Sequence, residues 1–172
     1  SLDVGNFDTD KVKNMSGMFS NCNKVQQLNV EKFVTDKVED MSYLFHYCSK
    51  LTSLNLDKFV TSEVKNMAKF FSYCSNLKSL DLKNFKTDKV TDMSHMFEGC
   101  SSLQSLDISN FNTSLVEDLS FMFQSLSSLQ TLDIKHFKTN EVKNMSHIFE
   151  GCRKINSLDV SLFNTQKVID KS

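Results

Sequence analysis

Seven phenylalanines, Phe7, Phe33, Phe59, Phe85, Phe111, Phe137 and Phe163, stand 26 residues apart. Leu2, Leu28, Leu54, Leu80, Leu106, Leu132 and Leu158 keep the same interval, and no insertion or deletion shifts the register. A fixed period in this range is the signature of a solenoid, because one such unit cannot bury its own apolar face. The chain of 172 residues therefore reads as one repeat domain, residues 1–172, with six full units and a partial seventh. It opens on Ser-Leu-Asp-Val without a Met, which points to a piece of a longer repeat array.

Within each unit two periodicities follow one another. In Leu51–Phe59, LTSLNLDKF fits the leucine-rich pattern LxxLxL. Its alternation predicts a short strand with Leu54 and Leu56 inward and Asn55 outward. The second half, TDKVTDMSHMFEGC in unit four, places Val90, Met93, Met96, Phe97 and Cys100 at steps of three and four. That spacing predicts a helix of two to three turns. Thr87 stands at its expected N-cap, and Gly99 or Gly151 near its exit. The expected fold is thus α/β, a leucine-rich-repeat solenoid with short parallel strands on the concave face and short helices on the convex face.

Repetition also separates structural from free positions. In the row Met15, Met41, Met67, Met93, Leu119, Met145, and in Met18, Leu44, Phe70, Met96, Met122, Ile148, Leu, Phe or Ile replaces Met. Those rows are core, not soft-metal ligands. Cys22, Cys48, Cys74, Cys100 and Cys152 share a row in which Leu126 stands in, so they read as buried thiols packing as small hydrophobes. The unbroken Thr row is read as helix capping. The row Asn14, Asp40, Asn66, Asp92, Asp118, Asn144, Asp170 is expected to bond the backbone of an adjoining coil.

Two surfaces remain free to bind. The strand side carries Asp81, Asp107, Asp133 and Asp159 one coil apart, with Lys83 and Lys135 placed to offset their repulsion. It is polar and lacks the exposed aromatics and Arg of interface hot spots. These carboxylates are expected to be solvated or bonded to hydroxyls such as Ser79, Ser105, Thr131 and Ser157, the alternative being a site for a basic partner or a cation. The other surface holds all three tyrosines: Tyr43, His46 and Tyr47 in unit two, with Lys69 and Tyr73 one coil on.

The unit, and the MFEGCSSL stretch of Met96–Leu103 in particular, resembles the BspA-type leucine-rich repeats of bacterial surface proteins, including the subgroup known as a mycoplasma-type repeat of unknown function. The resemblance covers the whole chain. It implies a leucine-rich-repeat solenoid, display at the cell surface or outside the cell, adhesion or protein binding, and no catalysis.

Other features narrow the function in the same direction. Net charge is −1, so nucleic acid is not an expected partner. No apolar run is long enough to insert into a membrane. The four His lie on different faces and coils, and no phosphate loop, nucleophile elbow or paired metal motif is present. No enzyme and no cofactor are expected. The expected partner is a protein or glycan of a host or cell surface. The alternatives are a rigid spacer, and end-to-end self-association through coil ends without polar caps.

Overall fold

In the computed structural model, which describes residues 2–172, the segment expected to be helical makes no helical hydrogen bonds. In coil three the amides of Met67, Lys69, Phe71 and Tyr73 donate to the carbonyls of Asp92, Ser94, Met96 and Glu98 in coil four, at 2.6–3.0 Å. The intervening amides of Phe70, Ser72 and Cys74 donate back to Met67, Lys69 and Phe71 of their own coil. Each local bond spans three residues and closes a β-turn. The chain is thus a ribbon of successive turns, with alternate amides holding the next coil. Coils one to five repeat the scheme in full, and coil six makes its first two bonds, from Met145 to Asp170 and from His147 to Ser172.

Among the described residues there are no helices and no strands longer than an isolated bridge. The α/β reading, with strands on one face and helices on the other, is therefore overturned. The physical reason lies in the stacking distance. Side-by-side helices need 8–10 Å between axes, whereas backbones that bond each other lie about 4.8 Å apart. Here the ring centroids of Phe19, Phe45, Phe71, Phe97, Phe123 and Phe149 follow one another at 5.7–6.1 Å. That leaves no room for a helix in each coil. The apolar steps of three and four arise because a run of turns, like a helix, returns to the same side every three to four residues.

The strand-side segments pair even less. Their only bridges among the described residues are Leu2 with Leu28 and Gln27 with Ser53. The continuous parallel ladder runs elsewhere, through Asn14, Asp40, Asn66, Asp92, Asp118, Asn144 and Asp170.

Threonine does not cap a helix. The hydroxyl of Thr87 accepts from the amide of Asn112 at 2.7 Å and donates to the carbonyl of the same residue at 2.9 Å. Thr35, Thr61, Thr113 and Thr139 make the same pair of bonds to Val60, Lys86, Lys138 and Asn164. A buried side chain thus takes the place of a strand neighbour, satisfying both polar groups of one residue in the next coil. No aliphatic side chain can do this, which accounts for the unbroken row.

The two Asp/Asn rows have a common task. Asp92 Oδ1 accepts from the amide of Ser94 two residues on, at 2.8 Å, and Asp81 Oδ1 from that of Lys83 at 3.1 Å. The bonds recur along both rows and are Asx turns. The side chains of the second row therefore bond the backbone of their own coil, and contact between coils in this row comes from the backbone ladder and from Asn144 Nδ2, which donates to Asp118 Oδ2 at 3.4 Å.

Between these polar seams lies a continuous core of Phe, Met, Leu and Val. The Cys row belongs to it, and its thiols also donate. Cys48, Cys74, Cys100 and Cys152 reach the carbonyls of Phe19, Phe45, Phe71 and Phe123 at 3.0–3.2 Å. Leu126 fills the space but offers no S–H.

Candidate functional site

The turn ribbon fixes which residues can vary. Its alternating bonds require φ near +60° at two positions per coil. One holds Gly17, Tyr43, Lys69, His95, Phe121 and His147; the other holds Asn21, Tyr47, Tyr73, Gly99, Ser125 and Gly151. Glycine adopts this conformation freely, whereas other L-residues lose roughly 1–2 kcal/mol. Nine non-glycine residues accept that cost here, and most are large. Residues held in this conformation at an energetic cost cluster at functional sites. The five residues singled out in the sequence, Tyr43, His46, Tyr47, Lys69 and Tyr73, fall on this face, four of them at left-handed positions.

The structure brings those five together. His46 sits edge-on between Tyr43 and Tyr47, at 5.4 and 4.6 Å between ring centroids. Tyr47 stacks on Tyr73 at 4.5 Å. Lys69 Nζ lies over the Tyr43 ring, 5.2 Å from its centroid, a cation–π contact. Along the first row the stacking continues, with Phe121 between His95 at 4.4 Å and His147 at 4.8 Å.

Behind this face lies a residue that the repeat pattern did not single out. Glu98 is only 7% exposed. Its carboxylate accepts from Ser72 Oγ at 3.1 Å and Tyr73 Oη at 2.7 Å, and pairs with His95 Nδ1 at 2.9 Å. Burial alone would push its carboxyl up, but the bonds from His95, Tyr73 and Ser72 outweigh it and hold the carboxyl below its ordinary value. Its position holds Ser20, His46, Ser72, Gln124 and Glu150 in other coils, so the only signal in the sequence was an acid at two positions of a variable row.

The same bond holds the Tyr73 hydroxyl as a donor and, with burial, pushes its pKa up to about 12. The raised value means that folding favours the neutral phenol. This contribution is complete below the ordinary value of 10 and is lost as pH rises through about 12. The absorbance difference between the chain and its Tyr73→Phe variant should show the phenolate appearing near 12. Glu98→Gln should bring that transition down toward 10, and an unchanged midpoint would exclude Glu98 as the cause.

His46 behaves in the opposite sense. Burial, with Lys69 nearby, lowers its pKa below the ordinary 6.5. Its buried Nδ1 has no hydrogen-bond partner. The fold therefore favours neutral His46, and stability should fall as pH drops below about 6.5. His46→Phe keeps the edge contacts to the two tyrosines and removes both the charge and the unpaired nitrogen. Urea melts at pH 7 and pH 5 should show a smaller pH loss in this variant than in the parent chain.

The strand-side carboxylates are otherwise engaged. Asp81 pairs with Lys83 at 2.8 Å and Asp133 with Lys135 at 3.4 Å, so the two lysines do offset the row. Asp107 and Asp159 accept from the amides of Ser109 and Ser161, and Asp159 also from the Ser161 hydroxyl at 2.6 Å. The hydrogen bond from Lys83 lowers the Asp81 carboxyl, the Ser109 amide lowers that of Asp107, and the Ser161 hydroxyl lowers that of Asp159. The carboxylates bond the turn two residues on rather than Ser79, Ser105, Thr131 or Ser157. A shallow groove runs along this face past Asp107, Thr131, Asp133, Lys135 and Asp159.

Among the described residues no three His, Cys, Asp or Glu side chains are grouped to share a metal ion, and no helix is long and apolar enough to cross a membrane.

Stacked coils of one length, a constant polar seam and one variable face define a repeat protein. The chain belongs to the family described as mycoplasma protein of unknown function, DUF285, whose model matches residues 1–80 and again 71–172. No curated protein and no solved structure matches the chain.

Proposed function

We propose that the chain is a non-enzymatic binding module of a bacterial surface protein, of the kind to which its resemblance to BspA-type repeats points, displayed outside the cell for adhesion. The observation that carries this reading is the row of left-handed residues. Tyr43, Tyr47, Lys69 and Tyr73 occupy positions where glycine would be relaxed, and Tyr43 and Tyr47 remain 39% and 41% exposed. Partly exposed tyrosines held rigid by their neighbours match the composition of binding hot spots. The His residues speak for binding over catalysis: His95 and His147 are separated by the Phe121 ring, and His136 Nε2 is 3.1 Å from the carbonyl oxygen of Ile108.

The test is surface binding of the purified chain to immobilised host matrix proteins and glycans. Tyr43→Ala, Tyr47→Ala and Tyr73→Ala should each weaken capture, while Lys143→Ala, on another face, should not. No capture by any ligand would favour the second reading, a rigid spacer. That reading draws its support from the Thr and Asx seams, which run through every coil.

A further inference from the structure

We infer that the uncovered face of Tyr43, with Tyr47 beside it, is a shelf for one neutral sugar ring of a glycan; this rests on the binding-module reading above and names the ligand class of that same face. The two rows begin differently from how they continue. Tyr43 is covered on its coil-three side by Lys69 and Tyr47 by Tyr73. On the coil-one side the same positions hold Gly17 and Asn21. A Cβ built on Gly17 would meet nothing closer than Ser20 Cβ at 3.9 Å, whereas one on Gly99 would strike the Tyr73 ring at 2.6 Å. Gly99 is thus filled by its neighbour's ring, and Gly17 is open. The missing side chain leaves one face of Tyr43 exposed above a glycine floor.

The chemistry of the shelf selects what can lie there. A flat aromatic face attracts the C–H face of a pyranose, and a polar rim serves its hydroxyls. The rim here is the Asn21 amide, which donates to Ser20 Oγ at 3.2 Å, and the two phenol hydroxyls. A cation is disfavoured, because Lys69 already sits on the opposite face of Tyr43. An anion is disfavoured too, because Ser16, Gly17, Ser20 and Asn21 on the coil-one side of this face bring no positive charge to it. A neutral ring with one apolar face satisfies both conditions.

The test is saturation-transfer NMR and titration of the chain with neutral oligosaccharides of glucose, galactose, mannose and N-acetylglucosamine. Transfer to sugar C–H protons is expected for at least one series. Gly17→Phe copies the Phe that coil five carries at this position, and would cover the shelf while leaving residue 43 a tyrosine. It should weaken binding roughly three- to tenfold, as should Tyr43→Ala, the range expected for loss of one aromatic contact. If Gly17→Phe fails to fold, Tyr43→Ala decides. Silence from all four series would overturn the inference, as would sugar binding that survives both changes. Capture of a purified matrix protein that is lost in Tyr43→Ala, with every sugar silent, would overturn the glycan and leave the binding module standing.

Discussion

Replacing Thr87 by Val should destabilise the chain by about 2–4 kcal/mol, although the two side chains have nearly the same shape. The hydroxyl accepts from the amide of Asn112 and donates to its carbonyl. Valine would leave both groups without a partner beside a residue that is 1% exposed. A buried polar group left unpaired costs about 1–3 kcal/mol, and two are lost together. Thr87→Ser keeps the oxygen and should retain most of the stability, losing only a methyl group. Urea melts of the two variants separate the hydroxyl from the packing. Equal losses in both would mean that the row is kept for its methyl, and the seam described above would fall.

The second large effect is expected at Phe71. Its ring is fully buried and stacks on Phe45 at 5.9 Å and on Phe97 at 5.8 Å. It also packs edge-on against Phe70 at 4.4 Å. Phe71→Ala should cost about 3–5 kcal/mol, from lost burial and the cavity that remains. In a stack where each coil touches only its neighbours, the loss should also be local. Hydrogen exchange should rise first in coils two to four, at the amides of residues such as Phe45 and Met67, and spread outward from there. Phe149 is only partly buried and packs in the last full coil, so Phe149→Ala should cost less. A larger loss at Phe149 than at Phe71 would contradict this order of burial.

Glu98 illustrates what a repeat hides. Recurrence separates positions that never change from those that do, and Tyr43, His46, Tyr47, Lys69 and Tyr73 fall on one surface by that criterion. Recurrence carries no sign that Ser72, Tyr73 and His95, from two coils, converge on one carboxylate. That contact joins three variable rows, and no recurrence announces it. The open side of Tyr43 was hidden for a related reason. Gly17 reads as one more variable residue until the ring of the next coil is seen to leave it uncovered.

The sequence by itself determined the 26-residue coil, the register of the stack, the buried rows and the surface that is free to vary. These follow from interval and substitution alone, because a row that accepts only apolar residues must face inward. Only the tertiary structure decided what the backbone does between those rows. Val90, Met93, Phe97 and Cys100 lie at a spacing that a helix and a chain of turns share. The choice between them depends on whether the intervening amides bond within the coil or across to the next. That is set by the distance between coils, and at the 5.7–6.1 Å of the stacked Phe rings turns can hand alternate amides to a neighbour while helices cannot fit. The left-handed residues follow from the same geometry, and with them the face on which Tyr43 is held.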